Sequence, residues 1–261
     1  DYIEGDGGAD SLSGGSGNDR MYGDAGGDAM DGGDDRDAVF GGAGDDTIDG
    51  GDGDDFLYGN SGRDSLTGGE GQDLIVGGFG ADTQFGGAGS DTLSGGEHND
   101  NLRGGTEGDL LSGGNGSDVM FGEAGGDTLD GGQGNDFLYG NAGSDSLSGN
   151  EDNDVLVGDF GADTLDGGAG ADTLDGGVHS DLLTGGTDAD VFVIRAGDGN
   201  DTITDFEDGL DLIQLTGTGL SFGDLTIGGG ANATVTGAGL GTITLTGVNE
   251  ALLSADDFDF V

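Results

Sequence analysis

Every ninth residue from Asp1 to Asp190 is an aspartate. Two places after each stands a large apolar residue, Ile3, Leu12, Met21, Met30, Val39 and onward to Phe192, with Gln84 the sole exception. From Asp10 onward a glycine stands five places before every one of these aspartates. The unit is Gly-Gly-x-Gly-x-Asp-x-apolar-x. A period this short predicts a solenoid, in which identical small units stack and bury a shared core. Its three glycines within four residues allow positive φ angles and a tight turn. Its last three residues suit a short strand with the middle side chain inward and its neighbours outward. Two such units then close one coil, and stacked coils place two parallel sheets face to face across a thin apolar core. The fold class read from this pattern is all-β.

Composition opposes such a fold in plain water. Glycine supplies 67 of 261 residues, and 54 Asp and Glu face five Lys and Arg, a formal charge of −49. Low hydrophobicity with high net charge marks chains that stay disordered, because they cannot offset the entropy of ordering. The thin core cannot hold that many glycines in place alone, and charge repulsion works against it. Something must bind the carboxylates and couple that binding to folding. The charge argues against nucleic acid as a partner, since no basic patch exists to meet phosphates. There is no Cys and no Pro, hence no disulfide framework and no thiolate metal site. No apolar run approaches the roughly 18 residues of a membrane-spanning helix, and no signal peptide is visible at the start.

Over residues 1–190 the repeat resembles the RTX (hemolysin-type) family of calcium-binding nonapeptide proteins. The resemblance implies a right-handed parallel β-roll of 18-residue coils. It also implies that calcium sits between adjacent turns, taking a carboxylate from each, with glycine carbonyls completing the shell. Hard cations of this kind take six to eight oxygen ligands in flexible geometry, whereas Mg²⁺ demands a tight octahedron. Aspartates two units apart share an edge of the roll, so Asp46 and Asp64 would share one ion and Asp55 and Asp73 another on the opposite edge. The expected ligands are Asp10, Asp19, Asp28, Asp46, Asp55, Asp64, Asp73, Asp82, Asp91, Asp118, Asp127, Asp136, Asp145, Asp163 and Asp172. Up to about twenty ions would cancel most of the charge.

Fewer or altered sites are expected where another residue replaces the third glycine: Asp35, His98, Glu107, Asp152, His179 and Asp188. That places Asp37, Asp100, Asp109, Asp154, Asp181 and Asp190, together with the terminal Asp1, in a second tier, joined by Asp201 beyond the repeats. The two His, alone among carboxylates, read as tolerated turn substitutions rather than transition-metal ligands. Gln84 reads as a local defect among aliphatics. The second half of the repeats copies the first at an offset of nine units, about 38–118 onto 119–199. "FLYGN" at Phe56–Asn60 recurs at Phe137–Asn141. Because nine is odd and a coil holds two units, each copied feature is expected on the opposite sheet. Outward strand positions carry apolar rows, Tyr22, Phe40, Phe56, Tyr58, Leu74 and Val76 in the first half and Val119, Phe121, Phe137, Tyr139, Val155 and Val157 in the second. Such rows are expected to be covered by a flanking part of the protein, or to meet a partner.

After Asp190 the period breaks, and residues 191–261 read as a β-rich cap for the open end of the roll. Asp201, Asp205 and Asp211 there suggest a final, differently built cation site. The segment is similar to those that follow RTX repeats in serralysin-type proteases, and its "ADDFDFV" terminus resembles an uncleaved type I secretion signal. The resemblance therefore implies a protein secreted by a bacterium, extracellular or on the cell surface, with calcium ions and the type I secretion machinery as partners. Because Asp1 is already in register, an upstream domain of the same polypeptide is expected as well. No catalytic motif stands out. "GLSFG" at Gly219–Gly223 matches a nucleophile elbow, but no strand-to-helix context surrounds it and no His follows. The expected function is a non-enzymatic calcium-binding module that folds after export and supports secretion and stability of a larger protein. The alternatives are an adhesin or matrix-binding module, or the non-catalytic part of a secreted hydrolase or polysaccharide-modifying enzyme.

Overall fold

The computed structural model describes residues 1–261. The chain is all-β, a parallel β-solenoid of 18-residue coils, and forms two compact units, Asp1–Gln133 and Gly134–Val261.

In the first unit, strands from alternate repeats assemble two parallel sheets. Arg20–Ala25, Ala38–Ala43, Phe56–Ser61 and Leu74–Phe79 follow one another in one sheet. Ala29–Asp34, Thr47–Asp52 and Ser65–Glu70 do so in the other. Register is fixed by the repeat: each residue pairs with its counterpart two repeats on, as in Val39 with Leu57 and Leu57 with Ile75. The strands are longer than the three residues expected. Each runs six residues, through the first two glycines and the following residue of the next unit, as in "FLYGNS". The pattern of burial shows why. Asp55, Leu57 and Gly59 are all buried, at alternating positions, so the first glycine of a unit is the third inward position of one strand. Side-chain-free glycine allows the two sheets to curl toward one another there.

The core is a single file of aliphatic side chains from both sheets, Met21, Met30, Val39, Ile48, Leu57 and onward, each at most 3 % exposed. Gln84 occupies one of these places, fully buried, and donates from Nε2 to the Ser94 carbonyl at 2.7 Å. Its Oε1 is buried without a hydrogen-bond partner.

The second unit repeats the plan. Phe137–Ala142, Val155–Phe160, Thr173–Asp175 and Val191–Arg195 stack in one sheet, and Ser146–Glu151, Thr164–Ala169 and Leu182–Thr187 in the other. Past the repeats both sheets continue with strands of their own. Leu212–Thr216 pairs with Val191–Arg195, and Phe258–Phe260 pairs with Leu212–Thr216. On the other side Thr202–Ile203 pairs with Leu182–Thr187 and then with Thr242–Leu245. There the chain turns antiparallel, through Ala233–Thr236 to Thr226–Gly228. This finishes the sheet with a short edge strand containing glycine, which offers little to a further chain.

The turns explain the substituted glycines. Second and fourth positions of the unit take positive φ, as in Gly51 (106°) and Gly53 (139°). All the non-glycine residues with positive φ sit at these two positions. They include Asp35 (75°), His98 (80°), Glu107 (72°), Asp152 (75°), His179 (100°) and Asp188 (79°), so each replacement keeps a positive φ, at a smaller angle than a fourth-position glycine such as Gly53 (139°).

Candidate metal centre

The repeat aspartates lie at the entrance to each strand, and the two oxygens of each carboxylate have different surroundings. The backbone N–H of Asp46 donates to Oδ1 of Asp64 at 2.8 Å, and that of Asp55 to Oδ1 of Asp73 at 2.8 Å. The backbone carbonyl of Asp46 accepts from the N–H of Ser65 at 2.9 Å, carrying the parallel ladder on into the strand. One carboxylate oxygen thus stands in for the backbone acceptor missing at the strand's start. The same bond recurs from Asp10 through Asp109 and again from Asp136 through Asp172.

The other oxygen, Oδ2, has no such partner. In Asp10, Asp19, Asp28, Asp37, Asp46, Asp55, Asp64, Asp73, Asp82, Asp91, Asp100 and Asp109 it is buried and accepts no hydrogen bond, and likewise in Asp154, Asp163, Asp172 and Asp181. Asp46 and Asp64 are each only 2 % exposed. A buried carboxylate oxygen without a donor is costly unless a cation meets it. The surrounding atoms are suited to that. A Cβ placed on Gly32, first glycine of its unit, would lie 2.6 Å from Asp37 Oδ2 and 2.5 Å from the Gly50 carbonyl oxygen. On Gly14 it would meet Asp19 Oδ2 and the Gly32 oxygen, both at 2.5 Å. On Gly50 it would meet Asp55 Oδ2 at 2.5 Å and the Gly68 oxygen at 2.6 Å. No side chain can stand there. What converges is one anionic carboxylate oxygen and one neutral carbonyl oxygen of the next coil, the hard donor set that Ca²⁺ takes. The residues present fit the ion.

Electrostatics point the same way. Burial pushes the Asp64 carboxyl up to about 7, opposed by the N–H it accepts from Asp46 and aided by the charges of Asp82 and Asp46. Burial likewise raises Asp73, Asp100, Asp109 and Asp154 to about 7 and Asp55 and Asp163 to about 6. Without a cation these carboxyls hold their protons to a pH well above the ordinary carboxylate range.

Asp118, Asp127, Asp136 and Asp145 are buried in the same register positions. Asp1 is exposed, and its α-ammonium group pairs with Asp19 Oδ1. At the turns with a substituted third glycine the ladder is uninterrupted: Asp82 donates to Asp100 and Asp100 to Asp118, both at 2.7 Å. Asp201, Asp205 and Asp211 do not form one site. Asp181 donates to Asp201 Oδ1 at 3.2 Å, and Asp190 to Asp211 Oδ1 at 3.0 Å. Asp201 and Asp211 therefore continue two separate ladders, at slightly longer sequence separations than the repeat's own. Asp205 instead accepts from the N–H groups of Gly185 (3.0 Å) and Gly186 (2.8 Å), closing a sheet edge. Sequence reading also missed a buried group, Asp175, which pairs with Arg195 from an outward strand position that nothing in the repeat marks.

The family description "RTX calcium-binding nonapeptide repeat (4 copies)" matches the chain in overlapping segments from 1–30 to 193–206. The chain belongs to the RTX calcium-binding repeat family. Among solved structures it is similar to the extracellular lipase LipA from Serratia marcescens, at 16 % identity and a TM-score of 0.34. That alignment covers 73 % of this chain and 45 % of the lipase chain, so the RTX chain spans less than half of that protein. It is also similar to the AlgE6R3 subunit of the Azotobacter vinelandii mannuronan C5-epimerase, at 24 % identity and a TM-score of 0.26, over 62 % of this chain and 78 % of that one. No curated protein sequence matches it.

Proposed function

We propose that this chain is a calcium-dependent folding module of a larger secreted bacterial protein. It stays extended while calcium is scarce and becomes a β-roll once outside the cell, supporting export and stability of the polypeptide that carries it. The carrying observation is the row of buried Oδ2 atoms without donors beside the first glycine of their own unit, with a carbonyl of the next coil converging on the same place at Gly14, Gly32, Gly50 and most others. Bound calcium would neutralise those carboxylates and tie adjacent coils together.

The chain's own residues supply the rest. The Oδ1 ladder sets coil-to-coil register, the glycines keep the oxygen cradle open, and the aliphatic file makes the fold cooperative. In the absence of a cation the −49 charge and the glycine entropy dominate. Extracellular calcium, in the range that weak oxygen sites read, reverses the balance. The ligand set proposed is the repeat aspartates, with Asp201 continuing one ladder past the repeats. The type I secretion machinery is the proposed export partner.

Far-ultraviolet circular dichroism with chelator and with millimolar calcium tests the reading. A coil spectrum in chelator that turns sheet-rich on calcium addition is expected. A sheet-rich spectrum in chelator would refute it.

A further inference from the structure

Within the first unit, one outward sheet face differs from the rest of this acidic surface. Rings on consecutive strands stack in a row: Tyr22 on Phe40 at 5.0 Å and 10° between planes, Phe40 on Tyr58 at 5.1 Å and 8°. Phe56 lies beside them on the same sheet, paired in register with Ala38 and Leu74. No Asp or Glu flanks the core residues of this sheet from Met21 to Leu111, in a chain with 54 acidic residues. Glu4 and Asp24 lie at one end of the row, near Tyr2.

The arginines are distributed in a way that ordinary surface pairing does not explain. Arg63, Arg103 and Arg195 each pair with a carboxylate, Asp45, Glu123 and Asp175. Arg20 and Arg36 form no salt bridge, and both lie on the aromatic row. The Arg20 guanidinium sits 5.3 Å from the ring centres of Tyr22 and of Phe40, and its Nε donates to the Tyr22 hydroxyl. Arg36 sits 4.5 Å from the ring centre of Phe56. Where acids outnumber bases so heavily, two guanidinium groups rest on rings without a salt bridge, although Asp35 and Asp37 flank Arg36 in its turn.

Ring orientation narrows the partner. Because Tyr22, Phe40 and Tyr58 cover one another's faces, they present their edges outward. Aromatic edges carry partial positive charge and attract carboxylate and carbonyl oxygens, whereas a sugar ring needs an open aromatic face on which to stack. We propose that this face docks an extended acidic peptide. Its carboxylates would pair with Arg20 and Arg36 and its apolar side chains would lie along the row of rings. Arginine and tyrosine at the centre of an apolar strip are also the residue types that dominate binding energy at protein interfaces.

The test uses the calcium-saturated chain at fixed free calcium and a fluorescent dodecapeptide alternating Glu and Leu. Saturable binding is expected, weakened about tenfold by the double variant Arg20→Ser/Arg36→Ser and by Tyr22→Ser/Tyr58→Ser. The calcium-induced circular dichroism of both variants should match that of the parent chain, since all four side chains point away from the core. A peptide alternating Lys and Leu should be indifferent to the same substitutions. Absence of saturable binding, or binding unchanged in both variants, overturns the proposal. Displacement of the peptide by polygalacturonate at lower concentration than by unlabelled peptide also overturns it, in favour of an acidic glycan on this face.

Discussion

Each repeat aspartate carries two separable tasks, one per oxygen, and conservative substitution can split them. Asn at position 64 keeps an oxygen able to accept the Asp46 N–H but loses the anionic partner, whereas Ala loses both. Asp64→Asn should therefore lower calcium stoichiometry by about one ion while leaving the calcium-saturated fold cooperative. Asp64→Ala should in addition destabilise that fold by about 1–3 kcal/mol, since a buried backbone donor is left unpaired. Equilibrium dialysis and urea unfolding in excess calcium read the two effects. At Gly32, Ala would drive a methyl group into Asp37 Oδ2 and the Gly50 carbonyl, so Gly32→Ala should lose about 1–3 kcal/mol and weaken calcium binding together. Gln84 runs the other way. Replacing a buried amide whose Oε1 has no partner by the aliphatic of its neighbours, Gln84→Leu, should stabilise the calcium-bound roll by about 1 kcal/mol, read as a higher urea midpoint. That Gln84 points inward was legible from its place in the repeat. That its Nε2 reaches the Ser94 carbonyl was not, because the partner is set by how the two sheets meet.

At the scale of the element, the strand is six residues long rather than three because glycine at the unit's first position is an inward strand residue as well as part of a turn. Periodicity marks where side chains recur and is silent where there is none, so the glycine half of the strand was not visible in the pattern. The turn is the element's other half. Its substituted fourth positions are where fewer or altered calcium sites are expected; there Asp35, His98 and Glu107 take positive φ, and the aspartate-to-aspartate hydrogen bonds beside them are 2.7–2.8 Å long. The backbone strain of an L-residue there remains. His98→Gly should stabilise the roll by about 1 kcal/mol, measured by urea unfolding in excess calcium, without changing calcium stoichiometry.

For the molecule as a whole, charge sets the conditions of folding. The carboxyls of Asp55 and Asp64 are raised to about 6 and about 7 by burial, above the ordinary value of 3.8. The folded, metal-free chain therefore binds more protons than the unfolded one between roughly pH 4 and pH 7. Its stability is fully present below the ordinary carboxylate value and is lost as pH rises through the raised values. In chelator, lowering the pH from 8 to 5 should increase the sheet signal in circular dichroism. In calcium, protons compete for the same oxygens, so the calcium midpoint of folding should move to higher concentration at pH 5.5 than at pH 7.5.

The nine-residue period by itself determined the coil length, the inward file of aliphatics and the alignment of aspartates two repeats apart. These follow because a strict repeat leaves each unit only its neighbours to pack against. Tertiary structure alone decided what crosses from coil to coil. It assigned Oδ1 to a backbone N–H and left Oδ2 to face the glycine cradle, and it sent Asp201 and Asp211 to different ladders while Asp205 closed a sheet edge. It stacked Tyr22, Phe40 and Tyr58 in a row, with the Arg20 guanidinium beside Tyr22 and Phe40 and that of Arg36 over Phe56. Beyond Asp190 there is no period to extrapolate, and within the repeats the period says where a side chain lies but not which atom of the next coil it meets.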